Sequence, residues 1–203
     1  MKLRRIGVTL VLVLCALGIG YAFWHQELKY AKPTPIPMGY KEVLPGDIVS
    51  LPTGFQKETA YFIHFYNADC PCTRFNARYI HALTKEFKGN IDFVIVATDQ
   101  KSKQKAEDEF GSDLTYRVDA DGRIAQACGV YSTPQAAIIH QNGSLYYRGN
   151  YNRSRYCTDR ATNFAELSLI ALLNNQPAPQ LGILATQSYG CELPNTRVAL
   201  DFF

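Results

Sequence analysis

The sequence predicts an α/β domain, a central mixed sheet flanked by helices, carried behind an N-terminal membrane anchor. Three observations predict it. From residue 60 onward, short aromatic or β-branched runs alternate with stretches of helical spacing, the pattern of a sheet with helices on both faces. The alternation closes on a hairpin signal, Gln141-Asn142-Gly143-Ser144, set between two strand-like runs. A charge-free apolar run, residues 6–24, follows the basic start Met1-Lys2-Leu3-Arg4-Arg5.

The apolar run has about the length that the hydrocarbon core of a bilayer requires. A cleaved signal peptide has a shorter apolar region and a small-x-small cleavage site. This run ends instead on Gly20-Tyr21-Ala22-Phe23-Trp24, and Tyr21 and Trp24 suit the membrane interface. Residues 1–24 are therefore expected to be an uncleaved signal anchor, with the basic flank cytoplasmic and the rest exported. Cleavage and release is the alternative. Cys15, inside the run, follows Leu12-Val13-Leu14, which lacks the small residue of a lipoprotein site. It is read as a bystander. Residues 25–52 hold Pro33, Pro35, Pro37, Pro45 and Pro52 and read as a semi-extended spacer. Its later part, near residues 48–51, is a candidate extra strand on the domain.

Residues 53–176 are expected to form the domain. The first strand spans residues 60–67. Residues 73–88 place Phe75, Tyr79, Ile80 and Leu83 near helical spacing and stop at Lys88-Gly89. A second strand follows at 91–97, then a charged helix at 101–110 and a short strand at 114–118. A short helix at 124–128 is closed by Gly129. Residues 136–140 and 145–148 form the hairpin, and residues 161–173 an amphipathic helix. The tail, 177–203, contains prolines and no periodicity, yet it carries Cys191. Apolar residues make up 47% of the chain, as in an ordinary globular domain. The net charge is +3, with three cations in the first five residues. No basic stripe remains for nucleic acid.

The chemistry lies in Cys70-Pro71-Cys72, at the junction of the first strand and first helix of the domain. A thiolate is the nucleophile of disulfide exchange. Unpaired N–H groups and the dipole of a helix N-terminus stabilise negative charge there. Arg74 adds to that effect and Asp69 opposes it. The spacing predicts Cys70 as nucleophile and Cys72 as resolver. Two neighbouring cysteines each bridged elsewhere is the structural alternative. Export leaves five cysteines, 70, 72, 128, 157 and 191, in an oxidising compartment, and an odd number leaves one over.

Two motifs at this spacing resemble the thioredoxin-like superfamily. Ile63-His64-Phe65-Tyr66-Asn67-Ala68-Asp69-Cys70 lines up with the family strand ending at the nucleophilic cysteine. Gly129-Val130-Tyr131-Ser132-Thr133-Pro134 matches the Gly-Val-x-x-Thr-Pro segment, whose proline is cis. Gln141-Asn142-Gly143 followed by Tyr147-Arg148-Gly149 matches the closing hairpin. The likeness covers about residues 55–175 and is nearest to membrane-anchored thiol-disulfide oxidoreductases and redoxins of bacterial envelopes. It implies a bacterial inner-membrane protein whose domain faces the periplasm, or a periplasmic protein after cleavage. It also implies protein thiol and disulfide substrates, no organic cofactor, and Thr133 and Pro134 positioning an extended substrate segment. The family's usual Cys-x-x-Cys is replaced by Cys-Pro-Cys, with Thr73 at the second cysteine's position. A peroxiredoxin would need proline at position 63 and threonine at 67; Ile63 and Asn67 speak against peroxidase activity.

The remaining cysteines and histidines are open to more than one reading. Cys157 and Cys191 flank the last helix, and a bridge between them would pin the tail, contributing about 3 kcal/mol in the chain-entropy model. The rival makes Cys191 a mobile resolving cysteine for Cys70 or Cys72. Cys128 is expected to be a buried free thiol. His64 is expected to be a satisfied interior or edge residue, and His81 and His140 structural or exposed. No metal is assigned. Two alternatives to an oxidoreductase remain: a Cu(I) carrier using two cysteines and a histidine, and a redox-silent interaction module.

Overall fold

The computed structural model describes residues 2–25, 32–56, 59–154 and 157–194. The chain divides into two units, Met1–Pro33 and Thr34–Phe203. The first contains α1 (Lys2–Phe23), the one described helix long and apolar enough to cross a membrane. Its side chains from residue 6 to residue 23 are exposed all round, Cys15 among them. A helix apolar on every side has no preferred face to turn inward and is suited to lipid.

The second unit is built on a five-stranded sheet. Its strands are β1 (Tyr61–Tyr66), β2 (Asp92–Ala97), β3 (Thr115–Val118), β5 (Gln135–Ile139) and β6 (Leu145–Gly149), in the order β3-β2-β1-β5-β6. β1 runs parallel to β2 and antiparallel to β5. β3 is parallel to β2, and β6 antiparallel to β5. All six residues of β1 are buried, so both faces of the central strand are covered. Its alternation sorts the core in two. Phe62 and Tyr66 pack with residues of α2 (Pro71–Glu86), α3 (Gln100–Phe110) and α5 (Phe164–Leu173). Tyr61, Ile63 and Phe65 pack with Ile124 and Ala125 of α4 (Arg123–Ala127) and with Val49. A second, two-stranded sheet joins β4 (Ser132–Thr133) to β7 (Cys191–Glu192). A short helix, α6 (Ile183–Thr186), precedes β7.

The observed elements differ from the expected ones at their edges. α2 begins at Pro71 rather than near residue 73, because a proline at the first helical position gives up an N–H that has no partner there anyway. The charged helix α3 is not fully exposed: Ser102, Ala106 and Phe110, four apart, turn one stripe inward. The helix expected at 161–173, α5, starts at Phe164, after a 3-10 turn at Arg160–Thr162.

The spacer and the tail do more than link and trail. Residues 34–51 are packed on the second unit. The Thr34 N–H donates to Ser188 O at 2.8 Å, the Tyr40 hydroxyl to Gly129 O at 2.9 Å, and the Val49 N–H to Gly143 O at 2.9 Å. Ile48 bridges Ser144, a single β-bridge in place of the extra strand expected at 48–51. In the tail, the Tyr146 hydroxyl donates to Gln176 O at 2.8 Å, and the Asn150 N–H to Ala185 O at 2.8 Å. Gly149, at φ 155°, lies where a Cβ would come within 2.0 Å of Ala185 O, so only glycine admits α6.

His64 sits among apolar neighbours on β1. It is fully buried, with Nδ1 2.8 Å from the Tyr151 hydroxyl. Loss of water pushes its pKa from 6.5 down to about 3, partly opposed by the Gln135 backbone. Between those values the unfolded chain holds the extra proton, so stability falls as pH drops through 6.5 toward 3. At about 1.4 kcal/mol per pH unit, unfolding free energy should fall by about 2 kcal/mol between pH 6 and 4.5 from this group alone. Denaturant curves at the two pH values measure it. His64→Gln should lose less over the interval; an equal loss in both proteins would assign the acid sensitivity elsewhere.

Candidate active site: three cysteines beside a cis proline

The site is assembled where β1 hands over to α2. After Tyr66, Asn67 turns the chain: its side chain accepts from Asp69 N–H at 2.9 Å and its carbonyl from Cys70 N–H at 3.1 Å. The Ala68 N–H donates to Ser102 Oγ at 3.3 Å, which ties the turn to α3. Cys70 then stands at the N-cap of α2, in extended conformation, with Pro71 at the first helical position. Cys70 offers no oxygen to cap the helix, and no side chain caps it. The dipole of the helix N-terminus is left to favour a thiolate. Cys70 and Cys72 are 1% and 3% exposed.

From the other side comes β4. The Thr133–Pro134 peptide is cis, as the Gly-Val-x-x-Thr-Pro resemblance implies. The Thr133 hydroxyl donates to Phe65 O at 2.8 Å, which fixes β4 against β1. Cys70 Sγ lies 3.5 Å from Thr133 O.

The third cysteine comes from the tail. Cys191 is bonded to Cys70, with their Cα atoms 5.9 Å apart. β7 pairs antiparallel with β4, Cys191 opposite Thr133 and Glu192 opposite Ser132. The Sγ atoms of Cys70, Cys72 and Cys191 all lie within 4.8 Å of one another. The expected Cys157–Cys191 bridge is therefore not formed. Cys157 packs against the first core, and its thiol donates to Asn76 Oδ1 of α2 at 2.8 Å. Cys191 is held on the opposite partner strand by backbone pairing. Burial pushes the Cys157 thiol up to about 12. Cys128 is a buried free thiol, as expected, and burial raises it further still.

The other expected participants sit at or beyond the rim. Asp69 pairs with Lys101 at 3.0 Å; both are exposed. That cation offsets the charge by which Asp69 opposes a thiolate at Cys70. Arg74 is exposed on α2. No histidine of the domain joins the cysteines. Besides His64, His81 Nδ1 contacts Glu109 O at 3.2 Å, and His140 Nδ1 accepts from Asn142 N–H at 3.2 Å. Among the described residues, the cysteine trio is the one cluster that fits a metal. Sequence reasoning weighed Cys191 at this site but did not find β7 or Gly190. The signal available was the odd cysteine count together with a glycine directly before Cys191.

This architecture, a mixed sheet whose first strand leads into a cysteine-bearing helix opposite a cis proline, is a thioredoxin-like fold. Residues 42–193 match the family described as a domain of unknown function, DUF6436, and the chain belongs to that family. No curated protein matches the chain. Among solved structures, it is similar to a hypothetical protein from Sinorhizobium meliloti 1021, with TM-score 0.61 and 17% identity over 78% of this chain and 97% of the other. It is similar as well to an uncharacterized conserved protein from Geobacillus kaustophilus, with TM-score 0.58 and 20% identity over 84% and 96%. A third is a putative thiol:disulfide interchange protein DsbE from Chlorobium tepidum, with TM-score 0.51 and 17% identity over 65% and 99%. At these identities the likeness is one of fold.

Proposed function

We propose that the protein is a thiol-disulfide oxidoreductase that acts on cysteines of exported proteins, anchored by α1 in a bacterial inner membrane with its domain facing the periplasm. Cys70 is the nucleophile, Cys72 its resolving partner, and Thr133 and Pro134 position the substrate. Asp69 and Arg74 modulate the charge at Cys70. The observation that carries the reading is the meeting of three sulfurs within 4.8 Å beside a cis proline at a helix N-terminus. In the resting bond, Cys191 is the partner of Cys70. Cys72 thiolate attacks Cys70 Sγ, a Cys70–Cys72 bond forms, the Cys70–Cys191 bond breaks, and Cys191 leaves as thiolate. A substrate thiolate then attacks Cys70 and expels Cys72. A second substrate thiolate attacks its bonded neighbour and expels Cys70. The substrate gains one disulfide, Cys70 and Cys191 exchange theirs for two thiols, and Cys72 ends as the thiolate it began as. Run backwards, the same steps reduce a substrate disulfide.

The test is to equilibrate the full chain in glutathione buffers of graded potential and map the bridges by peptide mass. Cys70–Cys191 is expected to dominate, and Cys70–Cys72 to replace it in Cys191→Ser. If Cys70 forms no reversible disulfide, the reading is wrong. A second reading is favoured by the same cluster: reduced, the three sulfurs suit a soft cation such as Cu(I). It requires stoichiometric Cu(I) uptake by the reduced protein, lost in Cys70→Ser, Cys72→Ser and Cys191→Ser alike.

A further inference from the structure

We infer that the tail segment 189–193 sits in the cleft as a stand-in for substrate, and that the cleft takes extended protein segments of the pattern Gly-Cys-x-apolar. The inference rests on the oxidoreductase reading and adds the substrate class. Three features of the segment carry it. Cys191 is bonded to Cys70, the position a substrate sulfur takes in the exchange. The backbone is read by strand addition: β7 pairs with β4, and the Leu193 N–H continues the ladder by donating to Tyr131 O at 3.0 Å. The flanking side chains are read by shape. Gly190, at φ 137°, passes so near β4 that a Cβ would lie 2.3 Å from Thr133 O and 3.6 Å from Pro134 Cδ. Any residue but glycine at that position meets backbone that cannot move aside. Two residues after Cys191, Leu193 is 6% exposed and packs in the second core with Phe65, Val96 and Ala125. A polar side chain there would lose its water.

The residues before this segment are tied down separately. Ser188 is fully buried, its hydroxyl accepting from Gln135 Nε2 at 2.9 Å and its carbonyl from Thr34 N–H at 2.8 Å. Ser188 is thus a fixed point from which residues 189–193 swing out to admit an external strand of the same pattern.

The experiment uses the full chain in detergent with Cys72→Ser and Cys191→Ser, so that Cys70 is the one cysteine left of the trio. The probes are synthetic peptides Tyr-Gly-Cys-Glu-Leu-Pro whose cysteine is capped as a mixed disulfide with thionitrobenzoate. Cys70 thiolate attacks the peptide sulfur, the Cys70–peptide bond forms, and coloured thionitrobenzoate leaves. The uncapped tail competes with every peptide alike, so rate ratios are unaffected by it. Valine in place of the peptide glycine, and aspartate in place of its leucine, should each slow release by about tenfold or more. If either altered peptide reacts as fast as the parent, the pattern is overturned while the oxidoreductase reading stands. If the parent reacts no faster than with a protein that also carries Cys70→Ser, both are overturned.

Discussion

Replacing Cys70 with serine is expected to lower thiol-disulfide exchange by more than about a thousandfold, because a serine hydroxyl supplies no nucleophile at neutral pH and forms no disulfide. The same change should release Cys191, whose bonded partner is Cys70. Cys72→Ser behaves differently. With Cys72 alone removed, Cys191 can swing back on the tail hinged at Ser188, to the place it holds beside Cys70 at rest, and expel a bound substrate, so turnover should persist at a reduced rate. Only the combination Cys72→Ser with Cys191→Ser leaves a Cys70–substrate bond with no nearby thiolate to break it. That double variant should accumulate mixed disulfides, visible as mass adducts on the Cys70 peptide. Cys128 and Cys157 do not substitute: Cys128 is buried and Cys157 partly so, and burial raises both thiols and holds them protonated. Activity retained in Cys70→Ser would remove Cys70 from the mechanism. Trapping by Cys72→Ser alone would remove Cys191 from it.

The order of strands and helices from residue 60 to 173 was legible in the sequence because burial imposes a period on it. β1 is buried on both faces and reads as an unbroken aromatic and aliphatic run. Ile80 and Leu83 mark the inward face of α2. The cysteine at the helix start and the cis proline were legible for a different reason. Cys70 falls at a change of period from strand to helix, and Thr133-Pro134 stands just before a strand.

The segments on either side were not legible, and the cause is physical. β4 and β7 are two residues each, too short to show any alternation. Residues 34–51 and 176–193 are held by single hydrogen bonds such as Thr34–Ser188 and Gln135–Ser188, which depend on where remote backbone happens to lie. The partner of Cys191 was misjudged on related grounds. Sequence proximity favours Cys157, but a disulfide needs its Cα atoms about 6 Å apart, and that condition is set by the fold. The structure meets it with Cys70, 121 positions away.

Gly190→Val is expected to weaken the Cys70–Cys191 bond while leaving the sheet intact. A β-branched residue at φ 137° is strained by about 1–3 kcal/mol before any neighbour is considered. A native disulfide that must carry such strain becomes easier to reduce. At about 30 mV for each 1.4 kcal/mol, the reduction potential should rise by about 20–60 mV. The approach of the new Cβ to Thr133 O adds to the rise. The carbonyl cannot retreat, because the Thr133 side chain is bonded to Phe65 O and the chain leads directly into β5. The tail is the part able to move. It is fixed at Ser188 and beyond that by the Thr34 hydroxyl donating to Gly190 O at 3.4 Å, the two-residue ladder, Leu193 and the disulfide itself. Redox titration with peptide mapping of the wild type and Gly190→Val measures the difference. Far-ultraviolet circular dichroism, expected unchanged, shows that the sheet persists. An unaltered potential would mean that β7 tolerates a side chain facing β4. The close backbone approach would then not be what holds Cys191 against Cys70.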